Sequence, residues 1–321
     1  MKKVLILHNK ISEKPTPDEL DVLEQANLVS KSLKELKYKV SFLEFDMNLE
    51  KVIIKIKKVN PDIIFNLVES IYNKGEFAYL ATSILNYLEI PYTGSPLIPM
   101  FNCSNKILTK KELDRICVLT PNYFTLDNLN KLNTKKKYIL KPVWEEGSLG
   151  LDEHCIFEGS DETYIKSIIN KNKDYFFVEE FIDGKEFNVS IIGTEKGPLV
   201  LPIAEMTFDY PDDKHKIMGY KSKWVEDSFE YNNTKRTFDL TLDSYRFEDK
   251  IKEICEKCWN DIGLKGYVRI DFRMDNLYNP YIIDINLNPC ISESGGFYAA
   301  CIEAGYNFNE VIDKILKEAI K

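Results

Sequence analysis

Residues 266–289 read GYVRIDFRMDNLYNPYIIDINLNP, two apolar runs interrupted by charges and amides. Strand side chains alternate between faces, so Arg269 and Asp271 share one face of the first run, and Asp284 and Asn286 one face of the second. A hairpin turning through residues 275–280 would gather all four into one patch. Two carboxylates and an amide oxygen are hard donors of the kind Mg2+ takes when phosphate oxygens complete its shell. Arg269 would neutralise further phosphate charge. A second reading fits the same residues: a buried ion pair of Arg269 with Asp271 or Asp284, and Asn286 capping a turn.

Two more stretches carry chemistry. LKPVWEEGSLG places Lys141 at a strand end, with Gly147, Ser148 and Gly150 in the loop after it. Backbone amides in such a loop can wrap a polyphosphate while the lysine supplies charge. The lysine precedes the glycines and no helix follows at once, so this is not a P-loop, and a plain hairpin turn is the alternative. In FFVEEFIDGKEFNV, the strand Phe176 to Val178 runs into Glu179 and Glu180, then Phe181, Ile182 and an Asp183-Gly184 turn before Glu186. Such a connection can offer backbone groups to an adenine edge and a carboxylate to ribose hydroxyls; the alternative is a hairpin with solvated acids.

The elements that must position these residues fall into three blocks. Strands at residues 4–7, 40–45 and 62–67 alternate with helices at 18–36, 49–58 and 76–88, a pattern of parallel pairing in a doubly wound sheet. The proline-rich PYTGSPLIP, residues 91–99, ends this block. The second holds a polar helix at 104–115, strands at 138–141, 154–157 and 175–180, and a helix at 161–170, an α+β layer. The third has strands at 186–192 and 199–203, a helix at 244–262, strands at 266–274 and 281–286, and two closing helices. Between them, residues 208–237 show no period; their aromatics, Phe208, Tyr210, Tyr220, Trp224, Phe229 and Tyr231, predict an ordered lid.

In this order the motifs resemble the ATP-grasp superfamily and, more narrowly, the D-alanine:D-alanine ligases. The resemblance runs through PYTGS with Asn105-Lys106, KPxxxxGSxG, VEEFIxGxEFxV, SKW, RIDF, and DIN followed by NP. It implies a three-domain ATP-grasp fold, α/β and α+β, with the N-terminal doubly wound parallel sheet at residues 1–97, a small subdomain at 98–182 and a large one with lid and metal site at 183–321. It implies ATP between the second and third blocks. Lys106 and Lys141 match the phosphate lysines, Glu179, Glu180 and Ile182 lie at the adenine hinge, Glu186 matches the ribose ligand, and Ser148 lies in the phosphate loop. Lys223 matches the lid lysine that reaches the transferred phosphate. Asp271, Asp284 and Asn286 match the ligands of two Mg2+ ions, for which Mn2+ can substitute, and Arg269 the arginine beside the reacting acyl group. The chemistry implied is ATP-dependent carboxylate-amine ligation through an acyl phosphate, in the service of peptidoglycan synthesis, by a homodimer.

The substrate residues follow the family less closely. The family's glycine-rich opening with its ammonium-binding glutamate is replaced by LHNKISEKPTPDELD, which leaves Glu19, Asp21 or Glu24 as candidates. NPCISESGGF puts Cys290 where a glycine is usual, leaving Ser292, Ser294 and the amides of Gly295 and Gly296 to bind a carboxylate. Gly147 stands where a serine orients the first substrate. Ligation of two D-alanines, ligation of another amino acid or small carboxylate with another amine, and nucleotide binding without ligation are the three readings.

Composition narrows the remainder. A net charge of -8 argues against a general nucleic-acid partner, and no apolar run is long enough for a membrane span. The seven cysteines include one CxxC, Cys255 and Cys258, on a predicted helix and without a second pair, which reads as packing; reduced thiols and a short apolar start predict a cytoplasmic protein. His8, His154 and His215 are scattered, and no GxSxG elbow is present.

Overall fold

The computed structural model describes residues 1–145, 147–171, 175–240 and 245–320. Its first part alternates β1 (Lys3–Asn9), α1 (Pro17–Glu35), β2 (Lys39–Phe45), α2 (Leu49–Val59), β3 (Ile63–Leu67) and α3 (Tyr79–Tyr87). The strands pair in parallel in the order β2-β1-β3. Both faces of β1 are covered, as its unbroken apolar run requires: Val4 and Ile6 pack toward α1, Leu5 and Leu7 toward α2 and α3. Pro17 opens α1, where a missing N–H costs nothing, and the Glu19 carboxylate takes the Thr16 N–H at 3.0 Å.

The helix expected at 104–115 is α5 (Lys106–Arg115), and a separate helix, α4 (Leu97–Ser104), precedes it. Asn105 is extended between them (φ -108, ψ 111) and its side chain caps α5 through the Leu108 N–H at 2.9 Å. β4 (Tyr123–Phe124), β5 (Lys137–Pro142), β6 (Ile156–Glu158) and β7 (Phe176–Glu180) form an antiparallel sheet in the order β4-β7-β5-β6, with α6 (Glu162–Lys171) between β6 and β7 in the chain.

The remaining sheet is antiparallel and six-stranded. It contains β8 (Lys185–Thr194), β9 (Gly197–Val200), β10 (Ala204–Phe208), β11 (Thr234–Thr237), β12 (Tyr267–Met274) and β13 (Pro280–Asn286). The strand expected at 199–203 is divided: Pro202, which cannot donate to a ladder, falls between β9 and β10, and each pairs with a different end of β8. The aperiodic 208–237 stretch contains α7 (Tyr220–Trp224) and α8 (Phe229–Asn232) as well as β11. The helix predicted from Ser244 is α9 (Tyr245–Ile262); Ser244 itself lies outside the described residues. Cys255 and Cys258 are both buried on α9, in the core against β8 and β12. α10 (Gly296–Glu303) and α11 (Phe308–Ala319) close the chain. Val311, Ile312 and Ile315 of α11 share one core with Val4 and Ile6 of β1 and Tyr267 of β12, so the parallel sheet and the large sheet are packed through a common apolar layer.

PYTGS docks on the start of β12. The Ser95 hydroxyl donates to the Lys265 carbonyl at 3.0 Å, and Gly266 (φ +71) lies so close that a Cβ there would fall 2.5 Å from the Gly94 Cα. Gly266→Ala therefore combines left-handed strain with a backbone clash and should cost about 2–4 kcal/mol in urea denaturation. Gly305→Ala, with φ +82 and nothing within 4 Å of its Cβ, should cost about 1 kcal/mol.

Candidate active site

A cleft of about 760 Å3 opens between the four-stranded and six-stranded sheets, bounded by β5, β7, β8, β12, β13 and α7. Eleven residues singled out in the sequence line it: Lys106, Lys141, Gly147, Ser148, Glu179, Ile182, Glu186, Lys223, Arg269, Asp271 and Asp284. Of the expected nucleotide and metal residues, Glu180 and Asn286 are the exceptions. Glu180 follows Glu179 on a regular strand and so faces the other way, where Lys136 and the Asn122 amide, at 3.0 Å, take its carboxylate. Asn286 lines an adjoining cavity of about 350 Å3 with Glu69 and Asn288, and its Oδ1 accepts the Asn288 N–H at 2.9 Å.

β12 and β13 pair through the expected hairpin, Arg269 opposite Asn286 and Asp271 opposite Asp284, with a β-bulge immediately after. Arg269 grips Asp271 with both arms, Nε to Oδ1 at 2.7 Å and Nη2 to Oδ2 at 2.8 Å, and the Asn188 amide adds a third donor at 2.9 Å. Lys106 reaches from α5 to Asp284 at 2.9 Å. Burial alone would raise the Asp284 carboxyl; Lys106, with Lys141 and Arg269 behind it, holds it below the usual range. The ion-pair reading of the sequence is thus what the structure contains, and the pair leaves both acids on one face with unfilled acceptor capacity.

Lys141 bonds Glu179 at 2.8 Å, and a residue the sequence reading missed, Lys110, approaches the other oxygen at 2.6 Å. The two lysines overcome the burial that would raise the Glu179 carboxyl, so it stays ionised. Lys106 and Lys110 are four apart on α5 and therefore share a face, a spacing visible in NKILTK. Arg273 was also missed, although it continues the Arg269, Asp271 alternation. It donates to Glu186 at 2.9 Å and to the carbonyls of Ile182, Gly184 and Lys216 at 2.6–2.9 Å, tying the β7–β8 connection to the lid. Burial raises the Glu186 carboxyl despite that arginine. Lys223 makes no hydrogen bond or ion pair among the described residues; burial, then Arg269, lowers its pKa.

The glycine loop and lid touch. Gly147, Ser148 and Gly150 all have positive φ (67°, 63° and 72°). The Ser148 hydroxyl donates to the Met218 carbonyl at 2.7 Å, and Trp224 Nε1 to the Gly147 carbonyl at 2.9 Å. Tyr220 of α7 reaches across to Asp18 of α1 at 3.1 Å. Burial, then Asp18, pushes its hydroxyl up to about 12, so it is the donor.

Of the N-terminal acids, Glu19 is spent on the α1 cap and Glu24 is exposed. Asp21 is buried and accepts from Gln25 at 2.9 Å and from the Cys290 thiol at 3.0 Å. Gln25 bridges to Glu69 at 3.2 Å, and Cys290 contacts Ser292, which contacts Ser294. Burial, then Asp21, pushes the Glu69 carboxyl up to about 8. Its folded form therefore binds a proton that the unfolded chain has lost, and stability falls as pH rises from the ordinary glutamate value toward 8. Glu69→Gln should melt above the parent chain at pH 8, with the gap closing by pH 5.

Comparison with known proteins agrees with this geometry. The family model "D-ala D-ala ligase C-terminus" matches residues 120–317. The D-alanine–D-alanine ligase of Pelagibacter ubique is 30% identical over 99% of this chain and 98% of its own length. That of Aquifex aeolicus is 27% identical over 98% and 100%. The crystal structure of the Bacillus anthracis D-alanine–D-alanine ligase complexed with ATP superposes with a TM-score of 0.76 at 18% identity, covering 100% of this chain and 98% of that one. With a family model over more than half its length and relatives aligned end to end, the chain belongs to the D-alanine–D-alanine ligase family of ATP-dependent carbon-nitrogen ligases, with the ATP-grasp fold.

Proposed function

We propose that this chain uses ATP to activate the carboxylate of one amino acid and joins it to the amine of a second, through an acyl phosphate. The observation that carries this is the meeting of Lys106, Lys141, Lys223 and Arg269 with Asp271 and Asp284 in one cleft, beside a hinge that ends in Glu186.

Ile182, with Ile139 and Ile217, gives the hinge end an apolar lining for a purine, and the β7–β8 connection gives it backbone groups. Glu186, held by Arg273, faces the ribose hydroxyls. Lys106 and Lys141 meet the phosphates, and the left-handed turn at residues 147–150 turns its amides to them. Two facing carboxylates and the neighbouring Asn286 amide are a donor set suited to Mg2+, two ions in all, with Lys106 exchanging Asp284 for a phosphate oxygen. A divalent cation held by these residues would supply positive charge to the phosphates. Lys223, with no hydrogen bond or ion pair among the described residues, stabilises the phosphoryl group in transfer. Arg269 then faces the oxygen that gains charge when the amine attacks the acyl carbon, and phosphate leaves. The lid excludes water that would hydrolyse the activated acyl group.

Two D-alanines are the first pair to test, and with them a role in peptidoglycan synthesis. Gly147 and Cys290, which depart from the serine and glycine that the family resemblance implies, favour a different amino acid as the second reading. Seven free thiols, four of them buried, support a cytoplasmic setting. Phosphate release from ATP, screened over D- and L-amino acids singly and in pairs with product identified by mass, decides the matter. Release with D-alanine and its dipeptide upholds the first reading, release with another pair the second, and none with any pair overturns ligation. Asp284→Ala should abolish turnover with the fold intact by circular dichroism. Lys223→Met should lower kcat by roughly 10²–10³-fold, the scale of a lost transition-state donor, with little change in KM for ATP.

A further inference from the structure

Arg236, on β11 just beyond the lid helices, is half-buried, and it makes no hydrogen bond or ion pair among the described residues; its Nε is buried without an acceptor. A buried guanidinium N–H with no acceptor costs stability by itself. Its charged neighbour is another cation, Arg269, which disfavours the charge further. The acids near Cys290 are engaged elsewhere: Asp21 accepts from Gln25 and Cys290, and Glu69 from Gln25. The guanidinium rests against Gly296 at the start of α10, where a Cβ would lie 3.5 Å from Nη2 and 3.7 Å from Cζ. Gly295 caps that helix without a side-chain acceptor for its first-turn N–H groups, which adds to the positive potential.

The phosphate lysines and Lys223 line the nucleotide cleft with Arg269, whereas Arg236 does not; it lies beyond Arg269, toward Cys290 and the loop that follows the metal-site strand. That is the side from which an amine must reach an acyl group lying beside Arg269. We propose that Arg236 binds the carboxylate of the amine-donating substrate, so that the acceptor is an α-amino acid and not a simple amine. A planar fork suits a carboxylate, and the absence of a side chain at Gly296 leaves room for it against the helix start. This rests on the ligase reading above and adds the residue that selects the acceptor.

The test uses the full chain, ATP, and amino acids each matched with its decarboxylated amine, such as alanine with ethylamine, with phosphate release as the readout. The parent chain should use the amino acid and reject the amine. Arg236→Gln should raise the acceptor KM roughly ten- to a hundredfold, the loss of one charge-assisted carboxylate contact, and leave KM for ATP unchanged. Arg236→Lys should recover part of it, and melting curves of both variants report their folding. Equal use of amine and amino acid by the parent chain, or an unchanged acceptor KM in Arg236→Gln, overturns the proposal. If no amino acid releases phosphate, ligation has failed instead, and calorimetric titration of D-alanine, L-alanine and acetate decides the site. Binding to the parent chain and not to Arg236→Gln upholds it, and the same result for both overturns it.

Discussion

Asp271 and Asp284 face each other across adjacent strands, and like charges in that position repel. The sheet supplies one answer itself, Arg269 two residues along β12. The other has to come from elsewhere, and Lys106 brings it from the first turn of α5. The position of that turn depends in turn on the break at Asn105, where the extended residue ends one helix and caps the next. A helix running unbroken through residue 105 would carry Lys106 in a different direction. The arrangement is thus over-determined from outside the sheet, and the cations that stabilise the acids are the groups a polyphosphate would draw away.

The same economy governs the other wall. Glu179 stays ionised in a buried position because Lys110 and Lys141 approach it from two elements, α5 and β5. Arg273 does for the hinge and the lid what those lysines do for the wall, reading three carbonyls and one carboxylate with a single planar group. Cleft shape is therefore fixed largely by charge pairing, while the apolar layer shared by β1, β12 and α11 holds the flanking sheets together.

Much of this was legible in the sequence because strands have a strict period of two. Arg269, Asp271, Asp284 and Asn286 could be placed on one face from alternation, and the short turn between the runs fixed their register. The same rule distinguishes Glu179 from Glu180, and Arg273 belongs to the same series. What alternation cannot supply is reach between elements. Nothing local to Lys110, Glu69 or Arg236 says which distant group its side chain will meet. The lid's two helices escaped because they are four and five residues long, too short to show a helical period, and are held by contacts such as Trp224 to the Gly147 carbonyl.

The bulge beside Asp271 has a consequence for what one strand can offer. In a regular strand, neighbours point to opposite sides, yet Ile283 and Asp284 both line the cleft. One residue more on β13 than on its partner lets hydrocarbon and charge be presented in succession to the same space. An apolar contact and a carboxylate need not then be drawn from separate strands: a local miscount in the pairing makes this edge of the sheet amphipathic along its length.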